Sequence, residues 1–457
     1  MLISRYSKPE FDPYGDSAPE ETDGLWAAPI AGGPLSATLS LPGSKSLTNR
    51  ELVLSALADS PSLLRAPLHS RDSDLMVEAL RQLGTTIESV TGAGEYGTDL
   101  LITPGELFGS TTIDCGLAGT VMRFLPPVAA LALGPTTFDG DAGAKRRPMG
   151  TTISSLRALG ADINDDGRSA LPFTVHGTGS LSGGEVTIDA STSSQFVSGL
   201  LLAGARFTDG LALRHSGERL PSLPHIEMTI DCLAQRGVTV TSPEVGVWTI
   251  EPGAIQGAEI DIEPDLSNAA PFLAAALVAG GTVTITGWPT STTQVGASLA
   301  ELLPLFGATV TVEGDRLTVT GTGRIQGVEL DLSTGGELAP TLVGLAALAD
   351  TPSTITGIGH IRHHETDRLA ALATEINNLG GRVTELPDGL AIEPRPLHGG
   401  TWHSYDDHRM ATTGALLGLV VAGVEVENIG TTAKTLPQFA ELWHGLVAGS
   451  GSELGTA

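Results

Sequence analysis

The sequence predicts an α/β protein assembled from six copies of one small unit, three to a domain. Three observations carry this. An Ala/Leu-rich helical segment with a polar or glycine-rich start recurs six times. The residues that stop it lie roughly 70 to 76 positions apart. A second helix follows in each unit, ending in most of them in an apolar residue, a glycine and a β-branched run.

The first helices are SKSLTNRELVLSALAD, LAGTVMRFLPPVAALALG, STSSQFVSGLLLAG, LSNAAPFLAAALVAG, GELAPTLVGLAALAD and DDHRMATTGALLGLVVAG. They stop at Asp59, Gly134, Gly204, Gly280, Asp350 and Gly423. The second helices run into LRQLGTTIE, LRALGADIN, LAQRGVTVT, LLPLFGATVTV and INNLGGRVTE, where glycine after the last turn supplies a left-handed cap. Between the two helices lies a short strand such as TTFDGDA, GTVTITG or GVEVENIG. Each unit therefore reads strand, helix, strand, helix, then one or two strands. Six such units exceed one core of normal size, so two domains of three units are expected. Residues 1–28 and 449–457 carry little periodicity and read as tails.

Charge narrows the function. The chain holds 25 Lys and Arg against 52 Asp and Glu, a formal net charge of -27. Such a surface repels nucleic acid and anionic lipid, so neither is an expected partner. Two cysteines, Cys115 and Cys232, make no disulfide framework and suit a cytoplasmic protein. No apolar run is long enough for a membrane span, and the N-terminus lacks the pattern of a signal peptide.

The few cations sit where helices begin. Only Lys8, Lys45, Lys145 and Lys434 occur; Lys45 opens a first helix, and Lys145 and Lys434 are expected at the starts of second helices. Arg50, Arg123, Arg147, Arg368 and Arg409 occupy starts or first turns in different units. Exposed N–H groups and the helix dipole already favour an anion there. If these ends converge, they form a cationic pocket for a substrate bearing phosphate and carboxylate groups. Ser191 to Gln195 precede an apolar helix, either as caps or as holders of a phosphate ester. Glu337 starts the fifth first helix, and Glu365 stands three residues before Arg368; both are candidate acid–base groups or plain helix-pairing residues. No HExxH, CxxC, Walker loop or GxGxxG after a strand is present, so metal and nucleotide cofactors are not indicated.

LPGSKSLTNR, LAGTVMR, RRPM, STSSQF, EPDLSNAAPFLAAA, HETDR, DHRMA and KTLPQF together resemble the motifs of the 5-enolpyruvylshikimate-3-phosphate synthase family, in its order. The match spans about Leu41 to Leu446. The resemblance implies the two-lobed enolpyruvyl transferase-like fold, six βαβαββ repeats, three per lobe. Carried over, one lobe is 29–43 plus 265–448 and the other 44–264. It implies transfer of the enolpyruvyl group of phosphoenolpyruvate to the 5-hydroxyl of shikimate 3-phosphate, with no metal or organic cofactor, by a monomer.

By motif, Lys45, Ser46, Arg50, Ser193, Ser194, Gln195, Ser222, Glu337 and His364 would bind shikimate 3-phosphate. Lys45, Gly119, Arg147, Gln195, Arg368, Arg409 and Lys434 would bind phosphoenolpyruvate. Glu337 is the expected base, Glu365 the expected acid, and Lys45 a third catalytic group. The sequence departs from the common pattern in having Glu337 for Asp, His364 for Lys and Phe124 for Pro. Two other readings stand beside this one. A UDP-N-acetylglucosamine enolpyruvyl transferase is disfavoured by the Lys-Ser and Ser-Ser-Gln motifs. A non-catalytic anion-binding scaffold is disfavoured by retention of both carboxylates and all the clasp cations.

Overall fold

The structure, a computed structural model, describes residues 24–92 and 94–449. The six first helices are Lys45–Leu57, Gly119–Leu131, Gln195–Gly204, Leu266–Ala279, Ala339–Ala347 and His408–Gly418. They are buried on nearly all faces because they are the interior: every residue of Gly119–Leu131 and of His408–Gly418 is buried. The second helices are more amphipathic and lie outside. The five glycines that end them or follow them, Gly84, Gly160, Gly237, Gly307 and Gly380, all take the expected positive φ.

Each unit carries its own small sheet, six among the described residues. The strand before the first helix pairs in parallel with the strand after it, and an antiparallel strand completes the ladder. In the second unit Thr111–Asp114 runs parallel to Leu133–Asp139 in the register Thr111↔Thr136, and Leu133–Asp139 pairs antiparallel with Phe173–Thr178. Two units exchange their first strands. Glu259–Asp261 joins Ser62–Arg65, while Leu35–Leu39 joins Gly281–Thr286.

The exchange obliges the chain to cross twice between the halves, and the two crossings lie side by side. Gly43 bridges Pro264, the Ser44 N–H donates to the Glu263 carbonyl at 2.8 Å, and the Asp265 N–H donates to the Pro42 carbonyl at 2.9 Å. On either side lie two distinct apolar cores. One gathers residues 28–41 and 266–446, the other residues 52–255.

The expected N-terminal tail is shorter than 28 residues. Leu25–Ala27 is an edge strand, antiparallel to Val424–Glu427, and Trp26 packs edge-on against His444 at 5.6 Å. The rest of that expected tail, 1–23, and all but Gly449 of the C-terminal one lie outside the described residues. Among the described residues no helix is long and apolar enough to cross a membrane.

Candidate active site

The N-terminal ends of all six first helices meet at one cleft between the two cores. Lys45, Thr120, Gln195, Ser267, Glu337 and Arg409, one from each repeat, line it. Six helix ends aimed at one cavity present unsatisfied N–H groups and positive dipole ends in concert. In a chain of net charge -27 this is where an anion is drawn.

The structure gathers the residues expected from sequence. Ser46, Arg50, Arg147, Ser193, Ser194 and Ser222 line the same cleft, as do His364, Glu365 and Arg368. Gly119 stands just behind, where an added Cβ would meet Arg147 Nη2 at 2.9 Å and Gln195 Oε1 at 3.0 Å. Lys434 lies behind Glu365, ion-paired to it and buried. Lys145 is not part of the cleft: it pairs with Asp139 at 3.0 Å, 43% exposed. It closes a four-residue helical turn and Lys434 closes a 3-10 turn, so neither starts a second helix, contrary to the expectation from sequence.

Two serines are poised without a local task. Ser194 and Ser222 occupy helix N-cap positions but make no side-chain cap bond. Ser222 holds a left-handed φ of 53°, which turns the chain into the Leu223–Gln235 helix beside the cleft. Arg50 is buried and largely spent on the protein. It donates to Thr229 Oγ1 at 2.8 Å and to the carbonyls of Ser46 and His225, both at 2.9 Å. Its guanidinium lies 5.2 Å from the centre of the Phe124 ring, which gives the Phe124 departure a packing role. Burial lowers the Arg50 pKa to about 10, still cationic at neutral pH.

The carboxylates are set by opposing terms. Burial pushes the Glu337 carboxyl up, but His225, Arg409 and Ser267 more than offset it and hold it well below the usual range. His225 Nε2 lies 2.7 Å from Glu337 Oε2, and the Ser267 hydroxyl donates to Oε1. Glu365 is likewise held ionised against burial, by Lys434, Arg368 and Arg147. Arg368 forks onto Asp407 at 2.7 and 3.0 Å and also donates to Glu365 at 3.0 Å.

Burial and the Arg368 charge keep His364 neutral. Arg368 Nη1 lies 3.0 Å from His364 Nδ1 and can only donate, so the imidazole proton sits on Nε2. His364 thus offers one donor N–H without a charge.

Some partners gave no signal in the sequence. Asp72, from a second helix, pairs with Lys45 Nζ at 3.2 Å. Asp265 receives the Lys45 N–H at 3.2 Å and caps its own helix through Asn268, tying the two crossings' helices together. His225 and Ser267 are 112 and 70 residues from Glu337. Among the described residues no group of three or more His, Cys, Asp or Glu could hold a metal ion.

Residues 30–443 match the family model described as EPSP synthase (3-phosphoshikimate 1-carboxyvinyltransferase). The chain is 57% identical over 435 residues to a 3-phosphoshikimate 1-carboxyvinyltransferase of Kocuria rhizophila, covering 94% of this chain and 98% of that one. In fold it is similar to two solved structures of Acinetobacter baumannii EPSP synthase. The first has a TM-score of 0.75 at 24% identity, covering 92% of this chain and 97% of the other. The second has a TM-score of 0.73 at 23% identity, covering 91% and 97%. With the family model spanning nearly all of the described residues, the chain belongs to the EPSP synthase (3-phosphoshikimate 1-carboxyvinyltransferase) family.

Proposed function

We propose a division of labour among the cleft residues for the carboxyvinyl transfer of this family. The enzyme moves the enolpyruvyl group of phosphoenolpyruvate to the 5-hydroxyl of shikimate 3-phosphate and releases phosphate, a step of the shikimate pathway to aromatic amino acids. Ser193, Ser194 and Ser222 take the phosphate of shikimate 3-phosphate, with Lys45, Ser46, Arg50 and Gln195 around its ring and the His364 Nε2–H donating to a hydroxyl. Arg147, Arg368, Arg409 and Lys434 take the carboxylate and phosphate of phosphoenolpyruvate, and Gly119 leaves room for it.

Glu337, ionised when the cleft is empty, accepts the 5-hydroxyl proton as that oxygen bonds to the central carbon of phosphoenolpyruvate. Glu365 delivers a proton to the methylene carbon. The carbon–oxygen bond to phosphate then breaks, the phosphate leaving with the proton held by Glu337, and Glu365 takes back a methyl proton as the double bond re-forms. Glu365 starts deprotonated because Lys434 and Arg368 face it. Arrival of the substrate's own anions neutralises those cations and lets the carboxyl take up the proton it must give. The lobes, 29–43 plus 265–448 and 44–264, close to exclude water. We also assign the enzyme as a cytoplasmic monomer, in keeping with its two buried free cysteines.

The observation that carries this reading is the meeting of both carboxylates with cations from both halves in one cleft. Phosphate release from phosphoenolpyruvate tests it. Release is expected only with shikimate 3-phosphate present. Release with UDP-N-acetylglucosamine, or with neither acceptor, would contradict it.

A further inference from the structure

The Glu337 carboxylate is bonded from two directions. Ser267, on its own side of the molecule, donates to Oε1, and His225 meets Oε2 at 2.7 Å from the half whose core is residues 52–255. An ionised carboxylate only accepts, so Nε2 of His225 carries the hydrogen. His225 is itself fixed: its carbonyl accepts from Arg50 Nη2 and from Thr229 Oγ1, both at 2.9 Å. Its ring is 17% exposed and the Glu337 side chain 21%, so the bond lies at the cleft wall. Neighbouring links cross the same gap. Arg219 pairs with Asp388 at 2.5 Å, and the Ser222 N–H points at the Ser333 carbonyl at 3.4 Å.

We propose that His225 is a positioning residue for the reaction: it reaches across from the opposite lobe, fixes the Glu337 carboxylate toward the 5-hydroxyl, and makes the base complete only when the lobes meet. The proposal rests on the reading of Glu337 as base. Each carboxylate oxygen already has one protein donor and keeps a lone pair for substrate, so the 5-hydroxyl meets an oriented acceptor. The groups facing Glu337 are His225 from the Leu223–Gln235 helix, Ser267 and Asp265 at the start of Leu266–Ala279, and Arg409 from His408–Gly418. More distant are Arg368 and Arg50. Of these, His225 and Arg50 come from the other half. His225 alone of the two bonds Glu337 directly. Removing it leaves a partly buried carboxylate with one donor fewer, and its desolvation then raises its proton affinity.

The test compares pH profiles of kcat and kcat/KM for wild type, His225→Leu and His225→Gln, with His225→Leu replaced by His225→Asn if it does not fold. Shikimate 3-phosphate binding is titrated alongside. Leucine is expected to lower kcat about tenfold or more at neutral pH. It should also move the acid limb to higher pH, so that the loss grows as pH falls toward that limb. Binding of shikimate 3-phosphate should change by less than about threefold. Glutamine, whose amide reaches the same carboxylate, is expected to restore most of the rate and the limb. An equal loss at every pH with no rescue by glutamine, or an unchanged profile, overturns the proposal. Glu337→Gln separates the two claims. If it is inactive while His225→Leu behaves as wild type, His225 alone loses its role. If it turns over normally, the base reading fails and this proposal with it.

Discussion

Replacing Gly119 with alanine is expected to weaken phosphoenolpyruvate binding while leaving the fold as stable or slightly more so. Gly119 opens the Gly119–Leu131 helix without a positive φ, where alanine is the better helix former by up to about 1 kcal/mol. The obstacle lies in the cleft. The new Cβ would stand 2.9 Å from Arg147 Nη2, 3.0 Å from Gln195 Oε1 and 3.1 Å from Arg123 Nη1. Each contact is several tenths of an ångström too close, and all three atoms are the tips of side chains that can move. Arg147 has the least freedom to return, since Nη1 is tied to the Leu117 carbonyl at 2.9 Å. Turning its guanidinium aside forfeits one charged hydrogen bond to substrate, about 1.5–3 kcal/mol, or roughly 10- to 150-fold in affinity. The assay is the KM for phosphoenolpyruvate at saturating shikimate 3-phosphate, with binding of shikimate 3-phosphate alone and urea unfolding as controls. A KM within about twofold of wild type would refute the reasoning, as would an equal loss of shikimate 3-phosphate affinity.

Three further outcomes follow from the charge placement. Glu365→Gln should bind phosphoenolpyruvate at least as well as wild type, because a competing carboxylate leaves Lys434 and Arg368, yet turnover should fall about 10²–10⁴-fold. Titration in buffers of different ionisation enthalpy should show proton uptake on substrate binding in wild type and its loss in that variant. Arg236→Met should cost about 3–5 kcal/mol in urea unfolding, because it strands the buried Glu51 that Arg236 pairs at 2.7 Å. The added change Glu51→Met should recover most of it. Finally, the Arg157 side chain and the Ser169 and Gly167 N–H groups hold Asp165 at a pKa of about 2, below its ordinary 3.8. A depressed carboxylate stabilises the fold above its unfolded pKa and loses that as pH falls through the folded one. Wild type should therefore shed about 1–2 kcal/mol between about pH 4 and 2, after allowing for screening at half-exposed Arg157, and Asp165→Asn should not.

The repeats were legible because each first helix is buried on most sides and fills the space with small and aliphatic residues, and each second helix must stop at a residue free to turn left-handed. Ala/Leu runs and terminal glycines write both demands into the sequence. Cations at helix starts were legible for a related reason: with only four lysines, position stands out. What stayed hidden depends on contacts between distant segments. Nothing near Leu25–Ala27 announces an edge strand, because its pairing partner lies 400 residues away in Val424–Glu427. Asp72, His225 and Ser267 look like ordinary helix residues until packing sets them against Lys45 and Glu337. Lys145 shows the converse error. Local sequence gave it the look of an anion ligand, whereas the fold sends it outward to Asp139.

The proposed function requires cations from both halves to grip two small acids beside Glu337 and Glu365 in one shared cleft. A crystal structure with shikimate 3-phosphate and phosphoenolpyruvate, or an inert analogue, bound together tests it most directly. The 5-hydroxyl is expected within hydrogen-bond reach of Glu337, and the carboxylate and phosphate of phosphoenolpyruvate on Arg147, Arg409 and Lys434. A 5-hydroxyl turned away from Glu337, or phosphoenolpyruvate seated outside that ring of cations, would contradict it.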